Sequence, residues 1–505
     1  MTTRASSRLA RPLLYLGLVA VGLGLLIAMY LRIVPAPQAM QCMGATTQNV
    51  DANGEARHTD GTGNLQFAMQ RLRDANAGGR PVRILFYGQS ITEQGWWLRT
   101  VEHLHKSFPN AVLQVENRAI GAHTSDRLLR TAEADLYPYQ PDLVVFHVYG
   151  DHHQYASIIE SIRKRTTSDV LIATDHITND SQVGEDTNRA RLTFCTWLYR
   201  LKGSSSEPDR LANWAAWRNH VFLPDIATKY GAKLADVRSA WKAYLRSHHL
   251  KANQLLVDDI HLNAEGQALM ANIINASLSE EASLPARPAD DRVVERPVDA
   301  ASHSGERLRI PFDGNRIDAL LKPGGAGGQD VAVDGQPPCK SGQALAITRT
   351  TPYPHSNWPT LLRVSRGVTP LLAESWTVTV RGADEALKNF RFDVSGSVTG
   401  PDGSGTSTAK FVSKSGRVVI NPEDWNLWFA KAVLKTTIPD GFLVQWTATC
   451  HGADSLPSTP SSVGIDTVTL VEGITNGKHV LDMPLSAASS VASLRIYRPL
   501  LGREP

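Results

Sequence analysis

The sequence predicts a parallel-sheet, three-layer α/β/α domain followed by an all-β sandwich domain, with an N-terminal transmembrane helix ahead of both. Three observations carry this expectation. Between Asn64 and Leu278, β-branched runs alternate with helical patterns, as in a parallel sheet covered on both faces. From Leu308 onward, short segments alternate apolar and polar residues between Gly, Pro, Asp and Ser turns, as strands of a sandwich do. Leu13 to Leu31 runs without a charge. A length of 505 residues suits two or three domains. With 42% hydrophobic and 20% charged residues, the composition excludes a disordered chain and a polytopic membrane protein. Lys plus Arg number 52 and Asp plus Glu 49, and that balance excludes the basic face a nucleic-acid binder needs. Four cysteines exclude a disulfide-dense scaffold and leave room for two bridges at most.

The elements follow in order. The run from Leu13 to Leu31 is long enough to cross a hydrocarbon core of ~30 Å as a helix. Arg4, Arg8 and Arg11 precede it, so by the positive-inside rule residues 1–12 are cytoplasmic and the remainder is exported. The run exceeds the h-region of a cleaved signal peptide and no small-residue cleavage site follows, which favours a retained single-pass anchor over 13–34. Residues beyond 34 are then periplasmic or extracellular. Residues 35–62 read as a tether and 63–282 as the α/β domain. Within that domain Leu65, Ala68, Met69 and Leu72 have helical spacing, and VRILFY over 82–87 is a strand followed by a helix from Trp96 towards Phe108. Further strands are expected at 112–116, 142–149, 169–174 and 232–237. Residues 283–306, with Pro285, Pro288 and Pro297, read as a linker, and 307–505 as the sandwich, with strands at 376–380, 390–394 and 466–471.

The residues that could carry chemistry lie in the α/β domain. Gly88-Gln89-Ser90-Ile91-Thr92 directly follows the first strand, where ligands bind at the carboxyl ends of a parallel sheet. A serine there suits a nucleophile whose attack generates an oxyanion, although Ser is also a common helix N-cap. Asp258 and His261 stand three apart on a loop before a helix, so the carboxylate can orient the imidazole while the ring takes the proton of Ser90. Asp259 reads as a surface residue. Gly121, in Asn117-Arg118-Ala119-Ile120-Gly121, lets the backbone approach a reacting group and can offer its N–H, or it is an ordinary turn glycine.

These blocks, in this order, resemble the SGNH (GDSL-like) hydrolase superfamily over roughly residues 80–280. Ser90 is similar to its first block, Gly121 to its second, and the Asp258-x-x-His261 pair to its last. The resemblance implies a flavodoxin-like fold and a Ser-His-Asp triad of Ser90, His261 and Asp258. It also implies an oxyanion hole of the Ser90 and Gly121 amides with a third-block side chain. Gln89 stands where many relatives have Asp. The third block departs further: Gly150-Asp151-His152 stands where Gly-x-Asn is expected. Aligning Gly150 puts His152 at the donor position, and a ring N–H can donate where an ionised carboxylate cannot. Asp151 is the alternative if the strand is one residue shorter.

Asp175-His176 either lines the cleft or is a loop pair without a catalytic role. No metal-ligand spacing accompanies the His-rich 151–153 run, so no metal or other cofactor is expected. In the β region Trp425 and Trp428 are the best candidates for an exposed, sugar-stacking face among tryptophans that are otherwise core. Cys339 and Cys450 are expected to pair in an exported region; Cys42 and Cys195 have no reading. The function expected is that of an exported, membrane-anchored serine esterase acting on acetyl or other small acyl groups of a carbohydrate. An O-acyltransferase on the same triad and a degenerate glycan-binding or assembly protein are the alternatives. The partners expected are an acylated carbohydrate or other ester and the membrane, with no nucleic acid.

Overall fold

A computed structural model describes residues 64–74, 80–185, 187–201, 214–284, 291–298, 306–325, 327–459 and 466–502. The expected cytoplasmic segment, anchor and tether at 1–62 lie outside the described residues. Among the described residues no helix is long and apolar enough to cross a membrane.

Five parallel strands build the α/β sheet: β1 (Val82–Gly88), β2 (Leu113–Asn117), β3 (Leu143–His147), β4 (Asp169–Ala173) and β5 (Lys233–Ala235). Each lies within a residue or two of its expected start, and β1, β3 and β4 are short apolar runs bounded by turns, which a parallel sheet buries on both faces. β3 and β4 are buried at every residue. The order is β2-β1-β3-β4-β5, so the chain reverses direction across the sheet between β1 and β3. At such a switch point the loops leaving neighbouring strands diverge and open a crevice at the carboxyl edge. Ser90 stands two residues after the end of β1, at that crevice. Helices Gln66–Asp74, Trp96–Ser107, Ser125–Asp135, His152–Arg165, Val237–Ser247 and Ala264–Ser283 accompany the sheet.

The C-terminal region is built mainly of antiparallel sheets. One has the order Val293–Pro297, Val491–Tyr497, Arg307–Leu321, Asp466–Pro484 and Ala332–Val333, and its core includes Ile317, Leu470, Leu481 and Ile496. The other has the order Leu345–Ile347, Leu443–Cys450, Glu374–Arg381, Arg391–Gly396 and Gly400–Thr406. In it Trp376 is paired with Trp446, their rings stacked at 6.3 Å, which is why both tryptophans are core. The expected Cys339–Cys450 disulfide is present and links residues 111 apart.

The expected linker at 283–306 is corrected at residues 291–298, while 285–290 and 299–305 lie outside the described residues. Val293–Pro297 is an edge strand hydrogen-bonded to Val491–Tyr497, and Arg292 donates to Asp169 Oδ1 at 2.8 Å in a buried position. Proline and charge made this stretch look free, but an edge strand tolerates both, because only one of its sides needs hydrogen bonds. The α/β and β regions accordingly lie in one compact unit, His58–Asp180 with Phe222–Pro505. Arg349 clasps Asp135 with two hydrogen bonds of 2.7 and 2.8 Å, and Arg130 donates to Asp424 at 2.8 Å. Residues Ser181–Val221 fall in a second unit. There, helix Arg189–Leu201 is followed by Trp214–Trp217, and His220 Nε2 lies 2.9 Å from Glu185 Oε1.

Candidate active site

Ser90 opens a single helical turn, Ser90–Glu93, straight after β1. The cap of that turn is Gln89, in extended conformation and without a side-chain cap bond, so the alternative role of Ser90 as an N-cap is not the one observed. The second block is drawn to the same place by backbone pairing that continues past the end of β2. Arg118 N donates to Phe86 O and Ile120 N to Gly88 O, both at 3.0 Å. Asn117 fastens the two blocks, its Nδ2 donating to Thr92 O at 2.7 Å and its Oδ1 accepting from Ala119 N at 3.0 Å. Gly121 ends beside Ser90: a Cβ on it would lie 3.9 Å from Ser90 Cβ and only 2.7 Å from Glu93 Oε2. The close atom is the far end of the Glu93 side chain, so a Cβ here would require that carboxylate to move aside.

The last block forms the expected acid–base pair. His261 Nδ1 lies 2.7 Å from Asp258 Oδ2, and Asp258 Oδ1 accepts from the amides of Ile260 and His261 at 2.8 and 2.7 Å. The amide and ring bonds from His261, with the Ile260 amide, bring the Asp258 carboxyl down to about 2, so it is a carboxylate at neutral pH. With Nδ1 engaged by Asp258, Nε2 is the ring atom left to take a proton. Gln94, which the sequence reading missed, and His176, which it left as a cleft or loop residue, hold this loop. Gln94, one turn after Ser90, clamps Leu262: its Nε2 donates to Leu262 O at 2.8 Å and its Oε1 accepts from Leu262 N at 3.0 Å. The loop that carries the base is thereby tied to the turn that carries Ser90. His176 Nε2 lies 2.8 Å from Ile260 O, and its ring packs on Trp241 at 5.4 Å. The Asp175-His176 pair is therefore buried, with His176 under the His261 loop rather than on an open loop. Burial, with the nearby His147, lowers the His176 ring to about 4 and keeps it neutral. Asp175 faces His147 with 3.2 Å between Oδ1 and Nε2.

The third block is placed differently from the first two. Gly150 has a φ of 121°, left-handed backbone that favours glycine, and it packs against Ser125 at the start of helix Ser125–Asp135. Asp151 is the N-cap of helix His152–Arg165, its Oδ1 accepting from the amides of His153 and Gln154 at 2.7 and 3.1 Å. An Asp bound in that way accepts and does not donate, which removes the physical basis for Asp151 as the oxyanion donor. His152 is the first residue of the helix, and its ring packs on His153 at 4.0 Å and edge-on to Phe222 at 5.7 Å.

Of the two tryptophans expected to face a sugar, only Trp428 is exposed, at 39%. Trp425 is corrected: it is 3% exposed and packed among Phe390 and Phe392, at 4.8 and 5.1 Å between ring centroids. The Asp-Trp-Asn-Leu-Trp stretch crosses a 3-10 turn into helix Leu427–Leu434, and the change of backbone turns one indole inward and the other outward. Arg127 lies over both the Phe429 ring, at 3.7 Å, and the Trp428 ring, at 5.5 Å. The β region also reaches both blocks: Asn357 Nδ2 donates to Glu93 Oε1 of the Ser90 turn at 2.8 Å and to Ala119 O of the second block at 3.3 Å. A lone Asn in a loop carries no sequence signal for such a role.

No protein-family model matches the chain, and no curated protein matches it. Solved structures do. A two-domain esterase active on acetylated mannans is similar over 86% of this chain and 95% of its own, at 14% identity and a TM-score of 0.33. An acetylxylan esterase from Geobacillus stearothermophilus is similar over 43% of this chain and 100% of its own, at 16% identity and a TM-score of 0.31. A putative GDSL-like lipase from Parabacteroides merdae is similar over 41% of this chain and 98% of its own, at 14% identity and a TM-score of 0.31.

Proposed function

We propose that this chain is an exported, membrane-anchored serine esterase of the SGNH type that removes acetyl or other small acyl groups from a carbohydrate through an acyl-enzyme on Ser90. The observation that carries the reading is the Gln94 clamp on Leu262, which ties the Asp258–His261 pair to the turn bearing Ser90. A serine capping a helix and a solvated Asp-His pair would have no reason to be fastened to one another.

In this reading Ser90 Oγ attacks the ester carbonyl as His261 Nε2 takes its proton. Asp258 stabilises the imidazolium across the 2.7 Å bond. The oxyanion is met by the amides of Ser90 and Gly121, with His152 as the proposed third donor. Collapse expels the sugar oxygen, which receives the proton from His261. Water, deprotonated by the same ring, then releases the acid and restores Ser90. The carbohydrate part of the reading is supported by the exposed Trp428 and by the family resemblance. The anchor at 13–34 and export of the remainder stand on the sequence alone.

The test uses the full-length chain in detergent on aryl acetates, longer acyl esters and acetylated glycans, with release of acid to water measured against transfer to added sugar. Ser90→Ala and His261→Ala are each expected to abolish turnover and fluorophosphonate labelling, and Asp258→Asn to retain more residual activity. Near wild-type turnover in Ser90→Ala would overturn the assignment.

A further inference from the structure

We infer that the C-terminal β region is part of the catalytic machinery: its Asn426 holds His123, and His123 positions the Gly121 turn that supplies an oxyanion donor. The inference rests on the reading of Ser90 and Gly121 given above.

The argument starts at the turn. Ile120 to His123 closes with His123 N donating to Ile120 O at 3.3 Å. Ala122, its third residue, has a φ of 57°. A left-handed, non-glycine residue persists only where its surroundings hold it, and glycine would have been the relaxed choice. The group that holds it is the His123 ring, whose Nδ1 lies 2.8 Å from Gly121 O, the carbonyl of the central peptide of the turn. Fixing that peptide fixes the adjoining Gly121 N–H.

The state of the ring follows from its other partners. Arg127 donates to Asn426 Oδ1 at 2.8 Å, which sets the amide so that Nδ2 is the group 3.1 Å from His123 Nε2. The same Nδ2 donates to Pro359 O at 2.9 Å. Nε2 is therefore the acceptor, Nδ1 carries the proton, and the neutral ring donates to Gly121 O. Burial lowers the ring to about 4, more than its bond to Gly121 raises it, in keeping with the neutral form. Trp358 and Phe429 pack edge-on to the buried ring at 4.8 and 5.7 Å. Asn426, Trp358 and Phe429, which bond to or pack on the His123 ring, all come from the β region. A binding module on a linker would have no such contact; a second half of the active-site scaffold requires it.

The test compares Asn426→Ala, His123→Leu and His123→Asn in the full-length chain with Ser90→Ala as control. An Asn at 123 keeps a donor where Nδ1 stands. Two readouts are taken: hydrogen exchange of the amides of residues 119–123, and kcat and KM on an aryl acetate. Thermal melts confirm that each variant folds. The expected result is exchange at least tenfold faster in Asn426→Ala and His123→Leu. kcat should fall about 10–100-fold, as a displacement of ~1 Å would cause, with KM within about twofold. His123→Asn should recover part of both. Unchanged exchange in Asn426→Ala would overturn the coupling. Faster exchange with wild-type kcat, while Ser90→Ala is inactive, would overturn the catalytic role and leave the esterase reading standing. Full activity in Ser90→Ala would overturn the esterase reading, and this inference with it.

Discussion

Gln94→Ala removes a side chain that ties the two halves of the proposed triad together. Both hydrogen bonds to Leu262 are lost, but not equally. Leu262 O keeps a second donor, Gln267 Nε2 at 3.3 Å, whereas Leu262 N has Gln94 Oε1 as its acceptor at 3.0 Å. Leu262 is 1% exposed, so its N–H is left without a partner in a site that water does not reach. An unsatisfied buried donor costs about 1–3 kcal/mol, and the loop can avoid that cost only by moving. A shift of ~1 Å in His261 would lower kcat by about 10²-fold. Gln94→Glu keeps the acceptor for Leu262 N but sets a second carboxylate oxygen against Leu262 O. It should therefore be less destabilised than the alanine variant while remaining impaired. Urea unfolding gives the stability, and kcat and KM on an aryl acetate give the catalytic effect. Gln94→Ala with wild-type kcat, beside an inactive Ser90→Ala, would refute the claim that this clamp places the base.

Other outcomes follow from the same structure. His123 and His176 both titrate near 4 through burial, against about 6.5 in an unfolded chain. The unfolded state thus takes up protons first, and the stability each neutral ring contributes is complete above pH 6.5 and lost as the pH falls towards 4. The loss is roughly 3 kcal/mol per ring. Urea titrations at pH 7 and 4.5 check this, and equal stability at both would refute it. His152→Ala should lower kcat by about 10²–10³-fold with little change in KM if His152 is the third donor. A wild-type rate would assign that donor elsewhere. Trp428→Ala should raise KM on an acetylated polysaccharide and leave an aryl acetate unaffected. Trp425→Ala should instead cost about 3–5 kcal/mol of stability, measured by urea unfolding.

The sequence by itself determined the local and the periodic. β1, β3 and β4 are apolar runs between turns, and such runs become buried parallel strands wherever helices can cover them. The Asp258–His261 pair was legible because three residues on one loop suffice to bring a carboxylate to a ring, with no help from distant chain. The pairing of Cys339 with Cys450 was legible because only two cysteines lie in the β region. What the tertiary structure alone decided joins residues far apart. Trp425 and Trp428 are indistinguishable in sequence, and which one turns inward depends on the aromatic rings of Phe390 and Phe392, more than 30 residues away. Gln94 meets Leu262 across 168 residues, and His123 meets Asn426 across 303. A polar side chain has no period that announces its partner. Its role is fixed by the one buried group it satisfies, and that group is known only when the chain has closed around it.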